Sequence, residues 1–246
     1  MKYLSPLDTS RFGFKIAKVN EPECINHETI TQLRDDGVQL IMSRIPSENI
    51  QLINQMEDWG YRVKDVQLTY KFDLHKNEIQ YQYDNRELTI REAQPSDIER
   101  LKIIAEDCFW NYGHYFADNR LNKQHVIDVY TDWTSRSFFE KTKNDIFLLA
   151  EQENKIVGFL TFRVHKTGDK TYSSGGIGAV DKNSRGKNIF SSICLKGLEW
   201  GKSQKHDWQE HNVLNINYPV NKVFAKLGFS NYKSETTLHL WLEDFK

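Results

Sequence analysis

Long apolar runs are missing from this sequence. No segment of the 246 residues approaches the ~20 consecutive apolar residues that a spanning helix needs, and the opening MKYLSPLDTSRFGF carries no apolar signal core. The expectation is a cytoplasmic protein with no membrane partner. Cysteine is scarce as well. Cys24, Cys108 and Cys194 are odd in number, far apart and without metal-type spacing, which points to a reduced compartment. Cys108 and Cys194 fall on apolar positions of expected helices and read as small core residues. An excess of charge is also absent: 33 basic side chains face 34 acidic ones, a net charge of -1, so nothing favours a nucleic-acid partner. Histidines do occur close together in HDWQEH. His206 and His211 are five apart, unsuited to one helical face, and no further ligands accompany them, so no metal is expected.

What is present is ordinary globular material. Hydrophobic residues make up 39% and charged residues 27%, in a length that suits one large domain or two modest ones. From about residue 88 the pattern reads clearly. ELTIREA alternates as a strand. Ser96, with Glu99 three residues on, forms an expected capping box ahead of Ile98, Leu101, Ile104 and Ala105 at helical spacing. Val126, Ile127, Val129, Tyr130 and Trp133 predict a second helix. DIFLLAE, the turn QENK and IVGFLTFRV predict a hairpin, and SGGIGAVDK adds a third strand to the meander. A helix through IFSSICLKGLEWGKS, the strand NVLNIN, a short helix begun by Pro219 and stopped by Gly228, and a last strand YKSETTLHLWL complete the chain.

The front of the sequence repeats that ending faintly. VQLIMSRI reads as a strand, PSENIQLINQMEDWGY as a helix closing on Gly60, and RVKDVQLTYKF as a strand. Asn49 precedes Gly60 by eleven residues, and Asn217 precedes Gly228 by eleven. The expected organisation is a degenerate N-terminal domain over 1–72, a polar linker or edge strand over 73–87, and a main domain over 88–246.

One loop has the makings of a phosphate cradle. Ala179 and Val180 end a strand, Arg185, Gly186, Lys187 and Asn188 turn, and Ile189 and Phe190 open a helix. Such a site needs backbone N–H groups converging beside the partial positive charge of a helix N-terminus. Gly186 and Asn188 tolerate positive φ, and Arg185 and Lys187 add charge. Phe190 stands where a small residue would leave more room.

With these elements in this order, and with NYPVNKVFAKLGF near the end, the chain resembles the GNAT superfamily of acyl-CoA-dependent N-acyltransferases. Its loop pattern is Gln/Arg-x-x-Gly-x-Gly/Ala. Here Arg185 matches, whereas Asn188 and Phe190 depart from the two small residues. A narrower resemblance, carried by LDTSRFGFKIAKV, GHYFADNRL, VYTDWTSRS and TLHLWL, is to bacterial nucleotide-sugar acetyltransferases that act on TDP-4-amino-4,6-dideoxygalactose (TDP-fucosamine). It implies an α+β fold, with a mixed, mostly antiparallel central sheet flanked by helices, preceded by a degenerate GNAT-like half.

The resemblance further implies acetyl-CoA as co-substrate and no metal. An amino-sugar nucleotide used for surface polysaccharide would be the acceptor, with pairing into a homodimer left open. Residues 179, 180 and 185–190, with Asn217 and Phe224, would line the cofactor. A backbone N–H near Val180 would polarise the thioester. His114, Tyr115, Asp118 and Arg120 would meet the acceptor, Arg120 by a forked contact to its diphosphate. The family's general acid, a tyrosine, is replaced by Phe224. Tyr218 or His239 could serve instead, or the thiolate could leave unaided. Two other readings stay open: a non-catalytic coenzyme A-binding module, and an N-acetyltransferase for a peptide or other small amine.

Overall fold

The computed structural model describes residues 2–80 and 88–246. In chain order the elements are α1 (Pro6–Phe12), β1 (Ile16–Lys18), α2 (His27–Asp35), β2 (Leu40–Pro46), α3 (Ile50–Asp58), β3 (Arg62–Asp73), β4 (Leu88–Glu92), α4 (Ile98–Phe109), α5 (Gly113–Phe116), α6 (Lys123–Phe139), β5 (Ile146–Gln152), β6 (Lys155–Thr167), β7 (Lys170–Val180), α7 (Ile189–Ser203), β8 (Trp208–Leu214), α8 (Tyr218–Lys226) and β9 (Ser230–Trp241). The mixed α+β architecture expected from the sequence is what is observed. Residues 81–87 of the expected linker lie outside the described residues. Just before them, the Asp73 carboxylate accepts the His75 and Lys76 N–H groups, each at 3.0 Å, and turns the chain out of β3.

Two compact units form, each drawn from separated segments. The first takes residues up to Leu68, Asn111–Val126 and Lys233–Lys246; the second takes Thr69–Trp110 and Ile127–Tyr232.

In the first unit β1 runs parallel to β2, and β2 is antiparallel to β9, with Leu40 opposite Trp241 and Ile45 opposite Thr236. Apolar residues of β2 meet Leu238 and Leu240 of β9, Ile30 and Leu33 of α2, and Ile53 and Met56 of α3 in one core. Each such buried side chain contributes about 1.5–3 kcal/mol. The helices α1 and α2 and the strand β1 had no signal strong enough to be expected from the pattern; α2 starts because Asn26 caps it, accepting the Thr29 N–H at 2.9 Å.

In the second unit β5, β6 and β7 form the expected antiparallel meander, β4 pairs antiparallel with β5, and β7 pairs parallel with β8. The hairpin between β5 and β6 turns through Glu153 and Asn154, both at positive φ. Helices α4 and α7 pack on the meander, and Gly197 lets α7 sit down on Phe162, whose ring would lie 2.2 Å from any added Cβ.

Three local expectations shift. The first helix of this unit is entered through a 3-10 turn, Pro95–Asp97, and its capping box joins Gln94 to Asp97 rather than Ser96 to Glu99. Asp97 wins because Arg91 grips its carboxylate at 2.7 and 3.1 Å, holding it beside the Gln94 N–H. The strand expected at NVLNIN begins earlier, at Trp208, because Trp208 stacks on Tyr172 with centroids 4.5 Å apart. Cys194 is buried as expected, but Cys108 is only half-buried and belongs to the site described next.

Candidate active site

The second unit opens a crevice between its two parallel strands. β7 and β8 pair only from Tyr172 opposite Trp208 to Gly175 opposite His211. A register shift follows at once: Thr161 of β6 stands between the pairs Leu160–Gly178 and Phe162–Gly175, so β7 carries an extra residue there. A bulge of this kind bends its strand. The His211 ring also presses on Gly175, where an added Cβ would lie 1.9 Å from Nδ1. Beyond that point β7 keeps β6 but no longer pairs with β8, and both parallel strands end beside helix N-termini, where ligands of open α/β sheets bind.

The end of β7 faces this crevice. Asp181 N–H bonds to Val157 C=O at 2.8 Å, which makes those two a hydrogen-bonded pair. Its neighbour Val180 therefore turns its own N–H and C=O away from β6. The Val180 carbonyl accepts from Cys108 Sγ at 3.1 Å and from Arg185 Nε at 3.3 Å, and Arg185 Nη2 lies 3.0 Å from the same sulfur. Arg185, expected to add charge near the cofactor's diphosphate, is tied to the strand end. Asp181 takes the Asn183 N–H at 2.9 Å, the main contact lowering its pKa, and pairs with Arg100, which lowers it further against the effect of burial.

The loop itself has the conformation that a cradle requires. Gly186 is at φ 80° and Asn188 at φ 60°, ψ 12°, so the asparagine adopts a left-handed turn usually given to glycine. Residues 185–188 are exposed, while Ile189 is buried and pins the start of α7. No side chain caps α7, which leaves its first-turn amides and partial positive charge open to an anion. Phe190 turns inward, its ring edge-on to Phe224 at 6.1 Å, so it does not stand over the loop.

Phe224 is 1% exposed, walled by Tyr70, Phe190, His211 and Phe229, with the His211 ring stacked at 4.8 Å. Burial pushes the His211 pKa down to about 3. Asn217 caps α8 by accepting the Val220 N–H at 3.4 Å. Tyr218 follows it, 67% exposed at the first position of that helix.

Five candidates from the sequence lie in the first unit, and three of them form one cluster. Asp118 Oδ2 accepts His239 Nδ1 at 2.8 Å and Trp241 Nε1 at 3.1 Å, with Lys64 Nζ 3.6 Å away, and Oδ1 accepts the Arg120 N–H at 3.1 Å. The other ring nitrogen of His239, Nε2, meets His114 Nδ1 at 2.9 Å. Burial raises the Asp118 pKa, but the bonds from His239, Arg120 and Trp241 outweigh it and hold the carboxyl well below the usual range. Burial lowers the pKa of His239 despite Asp118, and lowers that of His114 further, with His239, Arg44 and Lys18 adding to the effect.

The remaining two candidates have structural partners. Tyr115 donates to buried Asp8 at 2.9 Å, and Asp8 also holds Ser5 at 2.6 Å and Lys18 at 2.5 Å. The Arg120 fork, expected on a diphosphate, is taken by Glu243 and Asp244 with its plane over Trp241. Asp8 and Trp241 fall inside the motifs LDTSRFGFKIAKV and TLHLWL but were not singled out there, and Lys64 lies in no quoted motif beyond its own strand. His206 and His211 do not converge: His206 abuts Trp200, while His211 lies in the aromatic wall.

Comparison with known proteins bears on this arrangement. The profile of the acetyltransferase (GNAT) family matches residues 104–229, more than half of the chain. The chain belongs to this family. GNAT proteins are acetyl-CoA-dependent N-acetyltransferases, and the match covers the meander, the loop, α7 and the Asn217 block. No curated protein sequence matches the chain. Among solved structures, a tandem GNAT protein from the clavulanic acid biosynthesis pathway gives a TM-score of 0.63 at 13% identity, covering 94% of this chain and 76% of that one. A GCN5-related N-acetyltransferase from Sphaerobacter thermophilus gives 0.62 at 14%, covering 94% and 74%. A glucosamine N-acetyltransferase region of a fungal multi-domain β-N-acetylglucosaminidase gives 0.61 at 12%, covering 92% and 30%. At these identities the likeness is one of fold. The tandem GNAT neighbour extends it over the degenerate front half. Among the described residues no helix is long and apolar enough to cross a membrane.

Proposed function

We propose that this GNAT protein acetylates the amine of an amino-sugar nucleotide of the TDP-4-amino-4,6-dideoxyhexose type, in the cytoplasm, for surface polysaccharide. Residues 1–72 are its degenerate half, 73–87 the connection and 88–246 the catalytic half. The observation that carries the co-substrate side is the uncapped N-terminus of α7 behind Gly186 and Asn188, next to a strand end that turns Val180 toward the crevice. Acetyl-CoA supplies the activated acyl carbon. Amides from Gly186 to Phe190 receive its diphosphate, with Lys187 adding charge, and the Val180 N–H polarises the acyl oxygen. Tyr218, exposed and close behind Asn217, donates the proton to the departing sulfur.

The acceptor class is supported by the motifs GHYFADNRL, VYTDWTSRS and TLHLWL, which supply the His114, Asp118 and His239 cluster. A neighbour of the same fold is described as a glucosamine N-acetyltransferase, which is in keeping with an amino-sugar acceptor. Thiol release should follow mixing of the protein with acetyl-CoA and TDP-fucosamine. Silence across a panel of amino-sugar nucleotides would defeat this reading.

One observation favours a second reading, a coenzyme A-binding module without turnover. Phe224, at the position of the family's tyrosine, is closed inside an aromatic wall and offers no proton. Calorimetric binding of acetyl-CoA with no thiol release from any amine would select it.

A further inference from the structure

Three groups from separate parts of the second unit close a ring at the end of β7. The Val180 carbonyl has two lone pairs. Cys108 Sγ on α4 gives to it at 3.1 Å, Arg185 Nε in the loop gives to it at 3.3 Å, and Arg185 Nη2 meets the sulfur at 3.0 Å. A guanidinium only donates, so the sulfur accepts from Arg185 and passes its own hydrogen to the carbonyl. One edge of the arginine fork is thereby committed within the protein, to partners five and 77 positions away. Neighbouring cations are engaged too, Lys182 with Asp107 at 3.3 Å and Arg100 with Asp181.

The ring sets the shape of the loop that follows. Arg185 is extended (φ -66°, ψ 157°), Gly186 and Asn188 then take positive φ, and Ile189 is buried. The exposed stretch 185–188 is therefore fastened at both ends, by the Arg185 side chain in front and by Ile189 behind. A loop ordered in advance does not have to be ordered by its ligand, and affinity rises accordingly.

We infer that Arg185 is a positioning residue for acetyl-CoA and not a ligand of its diphosphate: with Cys108 it locks the loop to the end of β7, so that the amides from Gly186 to Phe190 and the Val180 N–H stand ready together. This rests on the coenzyme A reading of the loop given above. What the side chain supplies is geometry. Lysine at 185 would keep the charge but has no planar fork to reach carbonyl and sulfur at once. Charge toward the diphosphate is left to Lys187, which is exposed and takes no part in the ring.

Calorimetric titration of the full chain with acetyl-CoA, at low and high salt, separates the two roles. Arg185→Lys and Arg185→Gln should weaken binding alike, about 10-fold, with the salt dependence of the wild type retained. A phosphate ligand behaves differently: its lysine variant binds nearly as the wild type does, and its glutamine variant loses part of the salt dependence. Lys187→Ala should show that loss. Cys108→Ala should weaken binding about 5-fold, and Cys108→Ser, which keeps a donor and an acceptor, should recover most of it. Because both side chains act through one ring, Arg185→Gln combined with Cys108→Ala should weaken binding about 10-fold, where independent contacts would multiply to about 50-fold.

An Arg185→Lys variant that binds like the wild type, or single effects that multiply in the double variant, overturns the inference and leaves the cofactor site standing. A melting temperature lowered by these substitutions with acetyl-CoA binding unchanged overturns it as well. If the wild type binds no acetyl-CoA, the functional reading itself falls, and the lock falls with it as a device for the cofactor.

Discussion

The segments β1–α2–β2–α3 and β7–α7–β8–α8 are two versions of one design: a parallel strand pair with a helix between, then an asparagine-capped helix that closes on glycine. Their later parts agree closely. Asn49 (φ -81°, ψ 59°) and Asn217 (φ -81°, ψ 64°) each accept, at 3.4 Å, an N–H three residues on. Gly60 and Gly228 both take positive φ, and the residues after them, Tyr61 and Phe229, each bond back at 3.0 Å to Met56 and Phe224. The earlier parts differ at one point. In the front half the Asn26 side chain stoppers α2, whereas Asn188 in the back half spends its backbone on a left-handed turn and leaves α7 open. A stoppered helix N-terminus offers an anion fewer open amides than an uncapped one, so the same design gives a scaffold in front and, in the function proposed above, an anion cradle behind.

The largest expected effect breaks the likeness of the two glycines. A Cβ on Gly60, at φ 105°, would lie 2.5 Å from the Asp244 carbonyl, while one on Gly228 would meet Phe72 at an ordinary 3.4 Å. Gly60→Ala should cost about 3 kcal/mol, combining strain and collision, and Gly228→Ala only about 1 kcal/mol. Urea unfolding measures both, and equal losses would refute the distinction.

Next comes the cradle. A β-branched residue resists positive φ, so Asn188→Val should weaken acetyl-CoA binding about 30-fold, roughly 2 kcal/mol. Asn188→Gly should preserve binding. Titration calorimetry decides, and an unaffected valine variant would remove the loop from the site.

Acid should destabilise both units by a similar route. His114 and His239 in the first, and His206 and His211 in the second, have pKa values lowered by burial. The unfolded chain then binds more protons than the folded one below about pH 6.5, so stability falls as the pH falls through that region. His211 alone, at about 3, accounts for roughly 2 kcal/mol between pH 8 and pH 5. A melting temperature that is flat over this range would contradict the burial of these rings. The smallest effect belongs to the front stopper: Asn26→Ala should cost about 1 kcal/mol and leave acetyl-CoA binding untouched.

Much of the fold was legible because its signals are local. The alternation of DIFLLAE and IVGFLTFRV, the turn between them and the eleven-residue interval from asparagine to glycine all act over a few residues, and each appears where the sequence put it. The cap of α4 was misplaced by two residues because Arg91, outside the helix, chooses Asp97. The site was legible by type and less so by arrangement. Asn188 could be recognised as a stand-in for glycine, since φ tolerance is a property of the residue itself. That Arg185 ties down to Val180 and Cys108, and Arg120 to Glu243 and Asp244, depends on partners far away in the chain.

By itself the sequence determined the succession of strands and helices, the repeat, and which loop could bend its backbone around an anion, because propensity, periodicity and φ preference are short-range. Only the tertiary structure decided that β7 and β8 part after Gly175, that Phe190 turns inward, and that Asp118 and His239, 121 positions apart, meet in one buried cluster. Buried polar clusters and crevices arise from the contacts that folding creates, and no stretch of chain contains them before the distant partners meet.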